Sequence, residues 1–535
     1  MPSYFLRSSS LVRRSACSQK SLRLGFPIAP LLLLSLGACS SSSSSYDANE
    51  FNNVNNGPPL SYPSTPVGAA SEGQVPEQLP TSTKGGDFIE TSQEPLSTFA
   101  IDVDTGSYSL SRQYLASGIL PPSEVVRAEE YLNYFDYGDP APPAGSPHPF
   151  AVQLEGAPSK FGEGLSLLRI ALRAKDLSDA ERPDVALTFL VDSSGSMAAE
   201  NKLPLVKASL GILLTTLRPT DTIALVTYAG DSRIVLEPTP VKDAERINRA
   251  LREIGAGGGT NGSGGITAAY QVAARGLKVG GANRVVLCTD GDFNVGLSGE
   301  PLYKLIEAER DKGVTLTTLG FGTGNYRDHT LEQLADRGNG NYAYIDNLSE
   351  AQRVLSTKVA STIQLAAKDV KVQVAFDPTW VTRYRLIGYE NRRLANSAFR
   401  DDKKDAGEMG PGHTVVALYE AELNPMKGMN FAVGEQPVAS PLAEVRLRYK
   451  PIESANVIEW SAPFLPSSIA PTFEASSAPL RMSAAVVEFA EILSASKHSQ
   501  GRRLDDVLHV ATSASLPKDA DRLEFLSLVG KAKAL

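Results

Sequence analysis

Runs of apolar residues closed by an acidic one recur through the middle of the chain. Val185 to Val191 is apolar but for Thr188, and Asp192 ends it; Arg284 to Thr289 carries Val-Val-Leu-Cys, and Asp290 follows. Such runs are too apolar for an exposed edge and too short for free-standing helices, so they predict buried parallel strands. Thr222 to Tyr228, Val314 to Leu319 and Tyr342 to Ile345 read the same way, and Arg233 to Leu236 reads as a short edge. Between them the spacing turns helical: Leu203, Val206, Leu210, Leu213, Leu214 and Leu217 share one face. Further helices are predicted over 241–254, 266–277, 301–312, from 330 and over 351–359. Strands alternating with helices predict an α/β fold, a doubly wound parallel sheet of the Rossmann-like kind, over 181–362.

The flanks differ. Leu96 to Asp104 alternates like a half-buried strand, and 108–117 and 123–135 read as helices, the second with Glu124, Glu129 and Glu130 at its dipole-positive front. With the proline-rich stretch 140–149 they make an N-terminal segment, 94–149. A hairpin is predicted in 150–180, with Leu165 to Leu172 its clearest run. Alternating stretches at 369–376, 384–389, 413–423 and 443–449 predict a flanking β-rich domain over 363–460, an antiparallel sheet or sandwich that 150–180 would join. Arg400 to Asp405 is a charge run, read as a solvated hairpin tip. C-terminal helices are predicted at 480–493, 504–511 and 521–532, within 461–535.

Charge changes the picture at the N-terminus. The first acidic residue is Asp47, while Arg7, Arg13, Arg14, Lys20 and Arg23 precede an apolar stretch from Phe26 to Ala38. That is the layout of a secretory signal, 1–38, with a hydrophobic stretch too short to span a bilayer. Leu36-Gly37-Ala38-Cys39 resembles a bacterial lipobox. The resemblance implies that Cys39 is lipidated and becomes the mature N-terminus, anchoring the chain in the membrane. Ser40 after it resembles outer-membrane sorting, so the expected location is the bacterial cell envelope. Residues 39–93, rich in Ser, Asn, Gly and Pro, read as a disordered tether. A net charge of -8 argues against nucleic acid as partner. Three unpaired cysteines, Cys17, Cys39 and Cys288, support neither a disulfide framework nor a zinc site.

Candidate chemistry sits at the strand ends. Asp192, Ser194 and Ser196 follow one strand in Asp-Ser-Ser-Gly-Ser; Thr260 lies in a glycine-rich loop, Gly257 to Gly262; Asp290 follows another strand. Ligands of open α/β sheets bind at the carboxyl ends of strands, and carboxylates with hydroxyls are hard donors that suit Mg²⁺. This constellation resembles a von Willebrand factor type A (VWA) domain, whose metal-ion-dependent adhesion site uses Asp-x-Ser-x-Ser, a Thr from a second loop and an Asp from a third. The resemblance implies that Ser194, Ser196 and Thr260 offer hydroxyls to Mg²⁺ or Mn²⁺. Asp192 and Asp290 would bind it directly or through water, leaving a position for an acidic residue of a protein partner. Ser193 should face away, Asp292 reads as a turn residue, and Cys288 as a small buried one. Residues 94–142, 384–392 and 405–420 are similar to the bacterial YfbK family of VWA lipoproteins, whose function is poorly defined.

No catalytic motif accompanies this site, so the chain is read as a non-enzyme. The five histidines form no HExxH, and neither GxSxG nor a phosphate loop occurs. Asp104-Thr105-Gly106-Ser107 resembles the catalytic loop of aspartic proteases, but that chemistry needs two carboxylates and no second such motif exists. Three functions are carried forward: a cation-dependent binding or adhesion module of the envelope, an assembly scaffold whose metal site only stabilises, and, remotely, a hydrolase using Asp104.

Overall fold

The uniformly apolar runs become the middle of one sheet because both its faces are covered by helices. A computed structural model describes residues 86–535 except 179–180, 292–298, 323–327, 358–363, 403, 405, 425–439, 453–455 and 515–519. All of them fall in one compact unit, Gln78–Leu535. The expected signal at 1–38, the expected lipidation site Cys39 and most of the expected tether lie outside the described residues.

In chain order the first elements are β1 (Ile89–Glu90), β2 (Leu96–Ala100), α1 (Gly106–Ala116), α2 (Ala128–Tyr134), β3 (Phe150–Pro158) and β4 (Ser166–Ala174). Then come β5 (Val185–Asp192), α3 (Leu203–Leu214), β6 (Thr222–Tyr228), β7 (Ser232–Pro240), α4 (Ala244–Glu253), α5 (Gly262–Arg275) and β8 (Ala282–Thr289). They are followed by α6 (Glu300–Asp311), β9 (Val314–Phe321), α7 (Asp328–Arg337), β10 (Tyr342–Ile345) and α8 (Leu348–Gln352). The chain continues as β11 (Ala367–Phe376), β12 (Val381–Ile387), β13 (Gly407–Met409), β14 (Thr414–Leu423), β15 (Ala443–Pro451) and β16 (Ile458–Phe464). It ends in α9 (Ala478–Leu493), α10 (Leu504–Ala514) and α11 (Ala520–Ala534).

The central sheet runs β10-β9-β8-β5-β6-β7. Every residue of β5 is buried. Phe189 and Val191 face a core built with Val206, Leu210, Ile247 and Leu251 of α3 and α4. Leu190 faces the opposite core, with Ile266, Ile306 and Leu331 of α5, α6 and α7. The fold class is thus the one the alternation predicts, with one difference: β7 is antiparallel to β6, and longer than the four residues expected. Chain order reverses at β5, which has β6 on one side and β8 on the other, so a crevice opens at the carboxyl ends of β5 and β8.

Two further sheets, β1-β12-β14-β4-β3 and β13-β11-β15-β16 with β2 beside β11, pack face to face. Their shared core holds Leu168, Ile170, Leu172, Val372, Val374, Tyr419, Val445 and Leu447. The hairpin of β3 and β4 joins this assembly through β14, with Leu172 opposite Val415. On the outer face, α9 to α11 bury Leu480, Phe489 and Phe525 against Val416, Leu418 and the α2 residues Tyr131 and Leu132.

Several local readings are corrected. Order returns before residue 94: Ile89 pairs with Tyr384 as an added edge strand, and Phe88 packs edge-on to His498, so 86–93 is not free tether. Residues 123–135 split into a 3₁₀ turn at Ser123–Val125 and α2, and Glu129 and Glu130 in the first turn of α2 are buried, with Glu130 Oε2 accepting the Ser107 N–H at 2.7 Å. Helix α5 starts within the glycines, four residues earlier than predicted, because the Asn261 side chain caps it by accepting from Gly264 N–H. The charge run near 400 is no hairpin tip: Asn396–Arg400 is a 3₁₀ turn, and Arg400 and Asp402 pair with Glu459 and Arg448 of the sheet. Strand β16 runs past residue 460, beyond the β-rich boundary predicted there.

Candidate metal centre

Asp192 is the last residue of β5, where burial on both faces leaves it fully enclosed. Its carboxylate is held from three directions. Oδ1 accepts the Ser194 N–H at 2.9 Å; Oδ2 accepts the Thr289 hydroxyl at 3.0 Å and the Tyr228 hydroxyl at 3.1 Å. A carboxylate has about four lone-pair directions, so roughly one remains for an ion or its water. Burial raises the Asp192 carboxyl above its ordinary range, and the nearby Asp290 charge adds to this against the hydrogen bonds from Ser194 and Thr289. A cation at this point would reverse that cost.

The Asp192 loop is short and tied down. Ser193 turns to β6, where its N–H and hydroxyl both reach the Tyr228 carbonyl, at 2.9 and 3.1 Å, and so away from the crevice. Ser194 is buried and Ser196 exposed, with their hydroxyls 3.0 Å apart in a mutual hydrogen bond. Gly195 N–H donates to the Gly258 carbonyl at 3.1 Å, and Gly257 N–H to the Ser193 carbonyl at 2.8 Å. These bonds bring the glycine-rich loop against the Asp-Ser-Ser-Gly-Ser turn. Thr260, half-buried, lies two residues beyond Gly258 on that loop. Asp290 is buried at the end of β8, next to the Thr289 that touches Asp192, and its Oδ2 accepts from Lys202 Nζ at 2.8 Å.

The five predicted residues lie on three loops, and hydrogen bonds join the Asp192 loop to each of the other two segments. Two carboxylates and three hydroxyls form an all-oxygen donor set suited to Mg²⁺ or Mn²⁺. The donor chemistry fits such an ion, and an ammonium group, Lys202 Nζ, at present answers the Asp290 charge. Sequence reasoning missed Tyr228, Thr289 and Lys202. Only Thr289, adjacent to Asp290, carried any signal; the other two reach the site through the fold. Cys288, whose thiol burial pushes up, is a packed strand residue. Asp292 lies outside the described residues.

A second acidic group lies elsewhere. Asp102, Glu130 and Glu332 bring carboxylate oxygens close together in a buried cluster. Arg127 pairs with Glu130 and lies 3.7 Å from Glu332, while Arg392 lies 3.5 Å from Asp102, 3.6 Å from Glu332 and 2.8 Å from Asp336. Two guanidiniums already stand there, so the cluster is an ionic knot tying the N-terminal segment to α7 and the β-rich domain. Asp104 belongs to its edge. Its Oδ1 accepts the Tyr342 N–H at 2.8 Å, and its Oδ2 lies 3.4 Å from Arg392. Gly106 of the same motif is needed for packing: a methyl there would lie 2.1 Å from the Tyr342 ring. The protease-like stretch thus serves as a strand-to-helix joint.

Residues 186–357 match the profile of the von Willebrand factor type A domain, residues 361–535 that of the C-terminal region of the uncharacterized protein YfbK, and residues 76–169 one described as von Willebrand factor. The uncharacterized protein YfbK of Escherichia coli (strain K12) is 39% identical over 460 residues, which are 82% of this chain and 78% of that relative. An uncharacterized protein of Synechocystis sp. is 32% identical over 184 residues, 34% of this chain and 43% of its own length. A solved structure, von Willebrand factor type A from Catenulispora acidiphila, is 15% identical with a TM-score of 0.40, covering 70% of this chain and 89% of that one. VWA domains generally serve as non-catalytic interaction modules.

Proposed function

The chain belongs to the YfbK family of VWA-domain proteins, and from that premise we propose that it is a divalent-cation-dependent protein-binding module of the cell envelope. The observation that carries this reading is the pairing of two buried carboxylates, Asp192 and Asp290, at adjacent strand ends beside the exposed Ser196 hydroxyl. Asp192, Ser194, Ser196, Thr260 and Asp290 would hold Mg²⁺ or Mn²⁺. The bound ion would supply an open position for a carboxylate, so the partner is a protein presenting an acidic side chain. Tyr228 and Thr289 orient Asp192, and the backbone bonds from Gly195 and Gly257 hold the loops in place before any ion arrives. A lipid on Cys39 would keep the module at the membrane, in the outer membrane by the Ser40 signal.

The test is a crosslinking pull-down from envelope extract with the full-length chain, in Mg²⁺ and in EDTA. Capture of a partner in Mg²⁺ only, lost in Asp192→Ala, supports the reading; equal capture in EDTA removes it. The second reading, an assembly scaffold with a merely stabilising ion, is favoured by the hydrogen bonds that already close the site. It predicts a higher melting temperature in Mg²⁺ with the same partners throughout.

A further inference from the structure

We propose that Lys202 is a tethered counter-ion that competes with a divalent cation for Asp290, so that metal binds this site only by displacing the lysine. The inference rests on the metal-site reading above. Lys202 lies at the end of the Asp192 loop, immediately before α3. Its Nζ is 2.8 Å from Asp290 Oδ2, with the lysine side chain 14% exposed and the aspartate 6%. An ordinary surface lysine gains little from one carboxylate and keeps its rotamer freedom. This one is seated. Its stem crosses Gly322, the residue after β9, where a methyl group would lie 2.4 Å from Cε and 2.6 Å from Cγ. Gly322 also has φ +79°, in the left-handed region that favours glycine. The lysine therefore has a track of its own leading to the metal-site carboxylate, built from a third strand end.

The consequence follows from charge. Two carboxylates at the ends of adjacent strands call for a cation, and the chain supplies one covalently. A divalent ion beside Asp290 would repel the ammonium across a few ångströms in a partly dehydrated crevice, where like charges cost far more than in water. The lysine must then swing out, and its lost ion pair and packing are subtracted from the metal's affinity. Neutralising it should strengthen metal binding, the reverse of what removing a supporting residue does.

The experiment titrates the full-length chain with Mn²⁺ alone and follows the free ion by electron paramagnetic resonance. Lys202→Met keeps the stem and removes the charge. The expected result is a Kd for Mn²⁺ lowered about tenfold or more, equivalent to about 1.4 kcal/mol. Lys202→Arg, which keeps the charge, should not reproduce that gain. If Lys202→Met fails to fold by circular dichroism, Lys202→Gln takes its place. An unchanged or weakened Kd in the charge-removed variant overturns the proposal while leaving the metal site intact. Absence of Mn²⁺ binding by wild type and variant alike overturns both readings together.

Discussion

Thr289 donates its hydroxyl hydrogen to Asp192 Oδ2 at 3.0 Å and accepts the Gly291 N–H at 3.1 Å, so one side chain joins the ends of β5 and β8. It stands behind the proposed metal ligands. Partners of this kind fix ligand orientation, and their loss typically weakens metal binding about 10- to 100-fold. Thr289→Val preserves shape and removes the hydroxyl. We expect Mn²⁺ affinity to fall within that range, measured by the same titration, with a stability loss of about 1–3 kcal/mol from the unpaired groups left behind.

Metal should stabilise the fold by mass action. At an Mg²⁺ concentration about a hundred times its Kd, the gain is about 2.7 kcal/mol. Asp192→Asn keeps an acceptor for Tyr228 and Thr289 but lowers the charge. Its melting temperature should not respond to Mg²⁺, whereas that of the wild type should rise; equal rises in both would argue against Asp192 as a ligand.

Arg112 of α1 is a structural hub. Its guanidinium lies 2.9 Å from Glu350 and 2.9 Å from Glu524, and donates to Tyr134 at 2.7 Å, while its Nε donates to Asp346 at 2.8 Å. It thereby joins α1 and α2 to the β10 end of the central sheet and to α11. Arg112→Met would strand buried carboxylates, and we expect a loss of about 3–5 kcal/mol in denaturant unfolding.

The same network sets an acid limit. Burial alone would raise the Glu350 carboxyl, but Arg353 and Arg112 overcome it and hold it at about 2, against 4.5 in an unperturbed glutamate. Between those values the unfolded chain binds the proton and the folded one does not, so stability falls as pH falls. The contribution is complete above about pH 4.5 and lost toward pH 2, on the order of 3 kcal/mol. Glu350→Gln should be less stable near neutrality and show a shallower decline through that window in urea titrations.

The proposed anchor has its own assay. Cys39→Ala should move the protein from the membrane to the soluble fraction, and mass spectrometry of the wild-type N-terminus should find acyl chains on Cys39. An unmodified residue 39 would remove the lipoprotein proposal.

Much of the architecture was legible because burial on both faces of a parallel strand demands unbroken apolar residues. Val185 to Asp192, Thr222 to Tyr228 and Tyr342 to Ile345 show this demand without competing signals. Less legible were places where a tertiary contact overrode local pattern. Gly262 to Gly265 joined α5 because Asn261 caps it. Ile89 became strand because Tyr384 offered an edge. Glu130 went inside because the Ser107 N–H was there to donate to it.

By itself the sequence determined that carboxylates and hydroxyls stand at strand ends: Asp192, Ser194, Ser196 and Asp290 are where apolar runs stop, and a chain turning out of a sheet must expose polar groups there. Only the tertiary structure decided what surrounds them. Tyr228, Thr289 and Lys202 come from three different segments, and apart from the adjacency of Thr289 to Asp290 no local pattern marks them as neighbours of the two carboxylates. Strand order brought them together, because placing β8 beside β5 puts Thr289 against Asp192 and carries Asp290 within reach of the lysine that follows the Asp192 loop.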